Sequence, residues 1–280
     1  MLDPKHLQST DSSSGKLPAL RDLWAEVANF PVWDATAALN HTLGRLCNLL
    51  EAEDASWLVM RKEAKIPRDI SPDHYKTIFE KMEGWSPMAA EYLDSEKTFK
   101  RVVERWLMHA RKEGVDPMSQ SILDGAGKRS RACIRHDVTT DQEWADHWLS
   151  KKFLQFYGIG ERLVACIPLN PTCESVIIID RPIGADPFTP EDREFMNVAI
   201  ASMPHLHNRL CMERGLLMSS SMLSNREIDT YRLLLTDLSE NQIADRLKLS
   251  THTVHDYARQ LYRKFGVKGR VGLMAMVLSV

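Results

Sequence analysis

Between Ser250 and Gly266 the chain reads STHTVHDYARQLYRKFG, a stretch whose side chains could hydrogen-bond to nucleic-acid bases. Val254, Ala258, Leu261 and Phe265 recur at intervals of four, three and four, which predicts a helix that turns them inward. The opposite face then carries His255, Asp256 and Arg259 at positions i, i+1 and i+4, with His252 and Arg263 one turn to either side. Arginine can donate a forked pair of bonds to guanine, and a carboxylate can accept from the cytosine amino group while repelling phosphate. A polar face alone identifies nothing, because every surface helix has one.

The elements on either side decide how that face is presented. Ser224 with Glu227 three residues on forms a capping box, with Leu223 placed as its staple, and predicts a helix whose apolar side is Ile228, Leu233, Leu234 and Leu235. After a break at Thr236-Asp237-Leu238, Ser239 caps a second helix with Ile243, Ala244 and Leu247 at helical spacing, closed by Lys248-Leu249. Ser250 caps the third helix and Gly266 ends it. Two helices joined by a short turn, the second with an open polar face, form a helix-turn-helix, which lays its second helix in the major groove. A fourth helix from Arg270 to Val280 offers Val271, Met274, Val277 and Leu278, more apolar surface than a three-helix core needs. Part of that surplus can bury a second copy.

Met222 to Val280, about a fifth of the chain, resembles the LuxR-type helix-turn-helix. The carriers are L-S-x-R-E-I from Leu223, L-S-x-x-x-I-A-x-x-L from Leu238, L-S-x-x-T-V from Leu249 and Y-R-K-F-G-V-x-x-R from Tyr262, in order and without a gap. The resemblance implies a two-fold dimer on double-stranded DNA, with His255, Asp256 and Arg259 reading bases. It implies phosphate contacts from Ser239, Asn241, Thr251, Thr253, Arg263 and Lys264, pairing of the fourth helices through Val271, Met274, Val277 and Leu278, and RNA polymerase as a further partner. The chain departs from the family at His255, where a basic residue is frequent, at Tyr257, where histidine is usual, and at Asp237, where the turn glycine usually stands. Asp237 is expected in left-handed geometry, which aspartate tolerates better than most residues.

At 280 residues and 44% hydrophobic composition the chain has room for two globular domains. Its net charge of -2 is unevenly spread. Residues 222–280 hold nine Lys or Arg against six Asp or Glu, or +3, which leaves -5 for residues 1–221. A mild basic surplus on the DNA module predicts modest, salt-sensitive affinity. No apolar run approaches the length of a membrane span, and MLDPKHLQSTDSSSGK lacks the apolar core of a secretory signal, so a cytoplasmic protein is expected. The five cysteines form no C-x-x-C pair and read as free thiols, with one redox-sensing cysteine as the sharper alternative.

Residues 1–16 are polar, Ser-rich and expected to be disordered. Helices are predicted over Leu17–Phe30 and Ala35–Ala52, and a first strand over Ala55–Arg61. Ile66 to Gly125 reads as mainly helical, Ala132–His136 as a strand, and Thr140 with Glu143 as a capping box opening a helix through Trp144, Trp148 and Phe153. Arg162–Leu169 and Ser175–Asp180 predict an antiparallel hairpin. Thr189 and Pro190 then start a long helix toward Leu217, with Pro204 permitting a kink and a twin helix as one partner for it. The hairpin, the Pro/Gly loop and the Phe188-Thr189-Pro190-Glu191-Asp192 start resemble the end of a GAF-type sensor domain. The expected architecture is therefore an α/β (α+β) GAF-like sensor with added helices over 17–217, a linker at 218–221, and an all-α four-helix domain over 222–280.

Other motifs carry little. Val176 to Asp180 looks like a phospho-acceptor strand, but the acidic pair and lysine of a receiver are missing, so Asp180 reads as a buried strand end. Gly125-Ala126-Gly127-Lys128 lacks phosphate-loop spacing. His205 and His207, two apart on a helix, point to different sides and read as surface residues, and no metal or cofactor is expected. No catalytic grouping is identifiable, so an enzyme is not expected. All seven tryptophans lie in the first 150 residues, as core or as the lining of a ligand pocket of unidentified residues. The W-x-x-x-Y then D-P spacing of acyl-homoserine-lactone sensors is not found. The functional expectation is a DNA-binding transcription regulator controlled by a small-molecule ligand or a partner; the alternative is an interaction adaptor that keeps the helix-turn-helix fold without reading DNA.

Overall fold

The computed structural model describes residues 12–62, 78, 80–93 and 96–279. The expected disorder of residues 1–16 lies outside these residues up to position 11, and helix α1 (Ser12–Ala28) already contains positions 12–16. The expected helical reading of 66–77 also falls outside them. Two compact units form, one from Met1–Glu26 with His41–Met203 and one from Val27–Asn40 with Pro204–Val280. The second therefore takes in more of the chain than the four-helix segment alone.

The first unit is a mixed α/β body around a five-stranded antiparallel sheet in the order β2-β1-β5-β4-β3. Its strands are β1 (Asp54–Lys62), β2 (Trp85–Tyr92), β3 (Arg131–Ile134), β4 (Ile159–Asn170) and β5 (Cys173–Pro182). The hairpin of β4 and β5 pairs as its sequence predicts, with Val164 opposite Ile178. Strand β2 corrects the reading of 66–125 as mainly helical. Its Met, Ala and Glu favour helices, yet pairing along β1 overrides propensity, and Pro87 is tolerated because β2 is an edge strand. Helices α2 (Ala35–Leu49), α3 (Phe99–Glu113) and α4 (Pro117–Leu123) precede β3.

The helix expected from Thr140 to Phe153 is also interrupted. Its capping box forms, with Thr140 Oγ1 accepting from Glu143 N at 3.3 Å, but α5 (Asp141–Asp146) stops where His147 turns extended. A π-helical turn, Leu149–Leu154, follows and buries Leu149, Phe153 and Leu154. The helix expected from Pro190 to Leu217 is two, α6 (Pro190–Ala201) and α7 (Pro204–Glu213). Pro204 has no N–H to offer the Ile200 carbonyl, which accepts from Met203 N at 3.2 Å instead. His205 is exposed on α7 while His207 is fully buried, which corrects the surface reading of the pair.

Gly127 shows why Gly125–Lys128 is structural. It sits at φ 72°, and a Cβ there would meet the Pro171 carbonyl oxygen at 2.4 Å. Its N–H donates to Glu174 Oε1 at 2.7 Å, and Arg131 grips the same carboxylate at 2.8 Å. The loop is thereby tied to the β4–β5 hairpin. All five cysteines are free and buried, and burial pushes the Cys133 thiol up to about 11, against the thiolate that redox sensing needs.

The second unit ends in four helices, α8 (Asn225–Leu234), α9 (Glu240–Leu247), α10 (Thr251–Phe265) and α11 (Arg270–Leu278). Leu234, Ile243, Val254, Ala258, Leu261 and Leu273 are buried in one core. The expected linker 218–221 is pinned to it, because Ser220 N donates to the Lys264 carbonyl at 2.9 Å.

Candidate nucleic-acid interface and apolar cavity

The first three helices of the C-terminal domain begin as their capping signals require, while α11 starts after Gly269 without a side-chain cap. Ser224 Oγ accepts from Glu227 N and Ser239 Oγ from Gln242 N, both at 3.4 Å, and Ser250 Oγ accepts from Thr253 N at 3.0 Å. The turn between α9 and α10 is made by Lys248 in left-handed geometry at φ 55°. Asp237 is not left-handed, so the expectation for that residue is corrected. The turn between α8 and α9 is held by Arg270, whose guanidinium donates to the carbonyls of Leu234, at 2.8 Å, and of Thr236. A side chain thus fixes the break that glycine geometry was expected to make.

With Val254, Ala258, Leu261 and Phe265 buried, the outward face of α10 presents His255 and Arg259 exposed and Asp256 about half exposed. His255 Nδ1 lies 3.1 Å from Glu240 Oε2 on α9, and His252 Nε2 lies 3.5 Å from Asp256 Oδ2. Arg259 and Arg263 stand exposed on α10. Thr251 Oγ1 donates to Asn241 Oδ1 at 2.9 Å, which brings the starts of α9 and α10 together. Ser239 and Thr251 are exposed at those starts, and Thr253 is partly so. Helix starts present unpaired backbone N–H groups that suit phosphate.

Two of the expected contact residues are otherwise engaged. Lys264 is not a free cation for phosphate: its ammonium lies 2.7 Å from Glu227 Oε1 and 3.1 Å from the Met222 carbonyl, locking the start of α8. Burial alone would raise the Glu227 pKa, but Lys264 and the Ser224 bonds outweigh it and hold the carboxyl below its ordinary range. Val277 is 2% exposed and belongs to the domain's own core, so it is unavailable to a second copy. Val271 and Leu278, at 83% and 69% exposed, are the open apolar residues of α11, with Met274 packed partly against the core.

The first unit holds a cavity of about 160 Å³ beside its sheet. Asp54, Ser56, Leu58 and Met60 of β1 line it, while the alternate residues Ala55, Trp57 and Val59 are buried on the other face. The helical side supplies Val103, Trp106 and Met118, and the π turn supplies Phe153. Of the seven tryptophans only Trp106 lines the cavity, its indole N–H donating to Asp116 Oδ2 at 3.0 Å. Trp57 instead bonds Ser175 Oγ at 2.7 Å. Apart from Trp106, one of the tryptophans offered as pocket lining, the cavity residues were hidden in the sequence, because they come from strands, helices and turns far apart in the chain.

One end of this cavity is charged. Arg162 grips Asp180 with two bonds of 2.7 and 2.8 Å, and Lys97 is ion-paired with Asp54. Tyr92 stands nearby, its hydroxyl pushed far up by burial. Among the described residues no group of three or more His, Cys, Asp or Glu is placed to hold a metal, and no helix is long and apolar enough to cross a membrane.

Residues 221–277 match the family described as bacterial regulatory proteins, luxR family. No curated protein gives a significant match. Among solved structures, SdiA in complex with octanoyl-rac-glycerol is 14% identical over 97% of each chain, with a TM-score of 0.44. The ligand-binding domain of VqsR from Pseudomonas aeruginosa is 12% identical over 71% of this chain and 93% of its own, at 0.39. The GAF domain of a phosphoenolpyruvate-protein phosphotransferase from Coxiella burnetii is 16% identical over 73% of this chain and 97% of its own, also at 0.39.

Proposed function

Because residues 221–277 carry the luxR-family regulatory domain, we propose that the protein is a sequence-specific transcription regulator that binds double-stranded DNA as a homodimer under the control of a small molecule held in the N-terminal cavity. The observation that carries the reading is the outward face of α10, where Arg259 stands exposed beside His255 and Asp256 on a helix fixed by its buried opposite face. In this reading Arg259 and Asp256 contact base edges and His255 assists. Ser239, Asn241, Thr251, Thr253 and Arg263 meet phosphate, and Val271, Met274 and Leu278 of each α11 meet across the two-fold axis. In this reading the protein is a non-enzymatic regulator that acts on DNA in the cytoplasm.

The test is DNA-binding anisotropy of the full chain on a selected duplex. Arg259→Ala should weaken binding about 10- to 100-fold at its cognate position, and affinity should fall steeply with salt. Val271→Ser with Leu278→Ser should halve the mass in solution without unfolding the domain, since both side chains are exposed. An adaptor without DNA reading draws support from one feature, the carboxylates Glu240 and Asp256 on the reading face. Unchanged binding by Arg259→Ala would favour it.

A further inference from the structure

Glu240 opens α9 but takes no part in capping it. Gln242 closes that capping box, its Oε1 accepting from Ser239 N at 2.8 Å, which leaves the Glu240 carboxylate to reach across to α10. There Glu240 Oε2 lies 3.1 Å from His255 Nδ1, and Thr251 Oγ1 donates to Asn241 Oδ1 at 2.9 Å alongside, so two side-chain contacts hold the starts of the helices together. His252, one turn earlier, has its side chain 85% exposed and its Nε2 3.5 Å from Asp256 Oδ2. A pair that open and that long fixes little. Of the two histidines on the outward face, His255 is the one oriented from a second helix.

That partner decides what the ring offers. An ionised carboxylate accepts and never donates, so the hydrogen in this bond belongs to Nδ1. In the neutral ring Nε2 is then a bare acceptor on the far side from Glu240, and among the described residues it has no hydrogen-bond partner. Protonation makes Nε2 a donor while Nδ1 keeps its bond to Glu240. In the major groove an acceptor suits the amino groups of cytosine and adenine, whereas a donor suits N7 and O6 of guanine. The charged and titratable groups around the ring are Glu240 from α9, His252, Asp256, Arg259 and Tyr262 on α10 itself, and Arg270 of α11, which acts with Glu240 on the Tyr262 hydroxyl. Glu227 of α8 is paired with Lys264 at the far end of α10. Of these groups, Glu240 is the one bonded to the ring.

We propose that Glu240 fixes the tautomer of His255 and thereby the base read at that position: cytosine or adenine while the ring is neutral, guanine once it is protonated. Glu240 is then a positioning residue for DNA reading, and the chain selects a different half-site in acid than in base. This rests on the reading of α10 as the base-contacting helix.

The test selects duplexes from a random pool with the full-length protein at about pH 8.5 and at about pH 5.5, on either side of the ordinary histidine value. One symmetry-related pair of positions should change from cytosine or adenine to guanine. Duplexes differing only there should exchange rank by about fivefold in binding anisotropy, the size of one hydrogen bond. His255→Lys, a donor at both pH values, should read guanine in both selections. Glu240→Gln can accept from Nδ1 or donate to it, so the alkaline preference at this position should vanish while the position read by Arg259 keeps its base. The same base selected by the wild type at both pH values overturns the assignment while leaving DNA reading in place. So does an Nε2–H tautomer of His255 in nitrogen NMR of the DNA-free protein at alkaline pH. Enrichment of no duplex at either pH overturns the reading of α10 and this assignment together.

Discussion

The contacts that start the helices of the C-terminal domain and those that place charges inside the sheet body act at different ranges along the chain. In the four-helix domain Ser224 pairs with Glu227, Ser239 with Gln242 and Ser250 with Thr253, each three residues apart. In the sheet body Arg162 pairs with Asp180, Lys97 with Asp54, Arg131 with Glu174 and Trp57 with Ser175, at separations of 18 to 118 residues. Short-range pairs fix where helices begin and are replaceable one at a time. Long-range pairs place charges in the interior, where losing one partner strands the other.

That contrast orders the expected effects of mutation. Arg162→Ala should be the most damaging, because it leaves Asp180 unpaired and facing Asp54; urea denaturation should show a loss of about 3–5 kcal/mol. Leu261→Ala, which empties a fully buried position of α10, should cost the C-terminal domain about 3 kcal/mol in the same measurement. Ser250→Ala removes only the cap of α10 and should cost about 1 kcal/mol, read as a small drop in melting temperature. An Arg162→Ala effect no larger than that of Ser250→Ala would erase the distinction between the two regions.

The smallest effect is a pH dependence. Glu227 has a depressed carboxyl in the folded domain, so its stabilising contribution is complete above the ordinary glutamate value of about 4.3 and is lost as pH falls through the lower folded value. The stability gap between wild type and Glu227→Gln should therefore be widest at neutral pH and close in acid. A gap constant with pH would mean that Lys264 does not hold the charged form.

The same difference in range explains what the sequence could reveal. Capping boxes and the 3.6-residue period are local, so α8 to α11, the inward face of α10 and its outward residues were legible, as was the β4–β5 hairpin with its short turn. Strand β2 was not, because Trp85 to Tyr92 becomes a strand through pairing with β1, and its own residues favour a helix. The break at His147 and the charged end of the cavity were equally hidden, since each depends on neighbours distant in sequence. Within the legible domain the misses at Val277 and Lys264 have one cause. Helical spacing shows that a residue is apolar or charged, and it does not tell which of two surfaces, the domain's own or a partner's, will claim it.

The central claim, that α10 reads DNA, is tested most directly by selecting duplexes from a random pool with the full-length protein at low salt, in parallel with Arg259→Ala. The account predicts enrichment of a two-fold symmetric sequence by the wild type, with information at one or more half-site positions lost in the variant. No enriched sequence, or the same sequence enriched equally by both proteins, would contradict it.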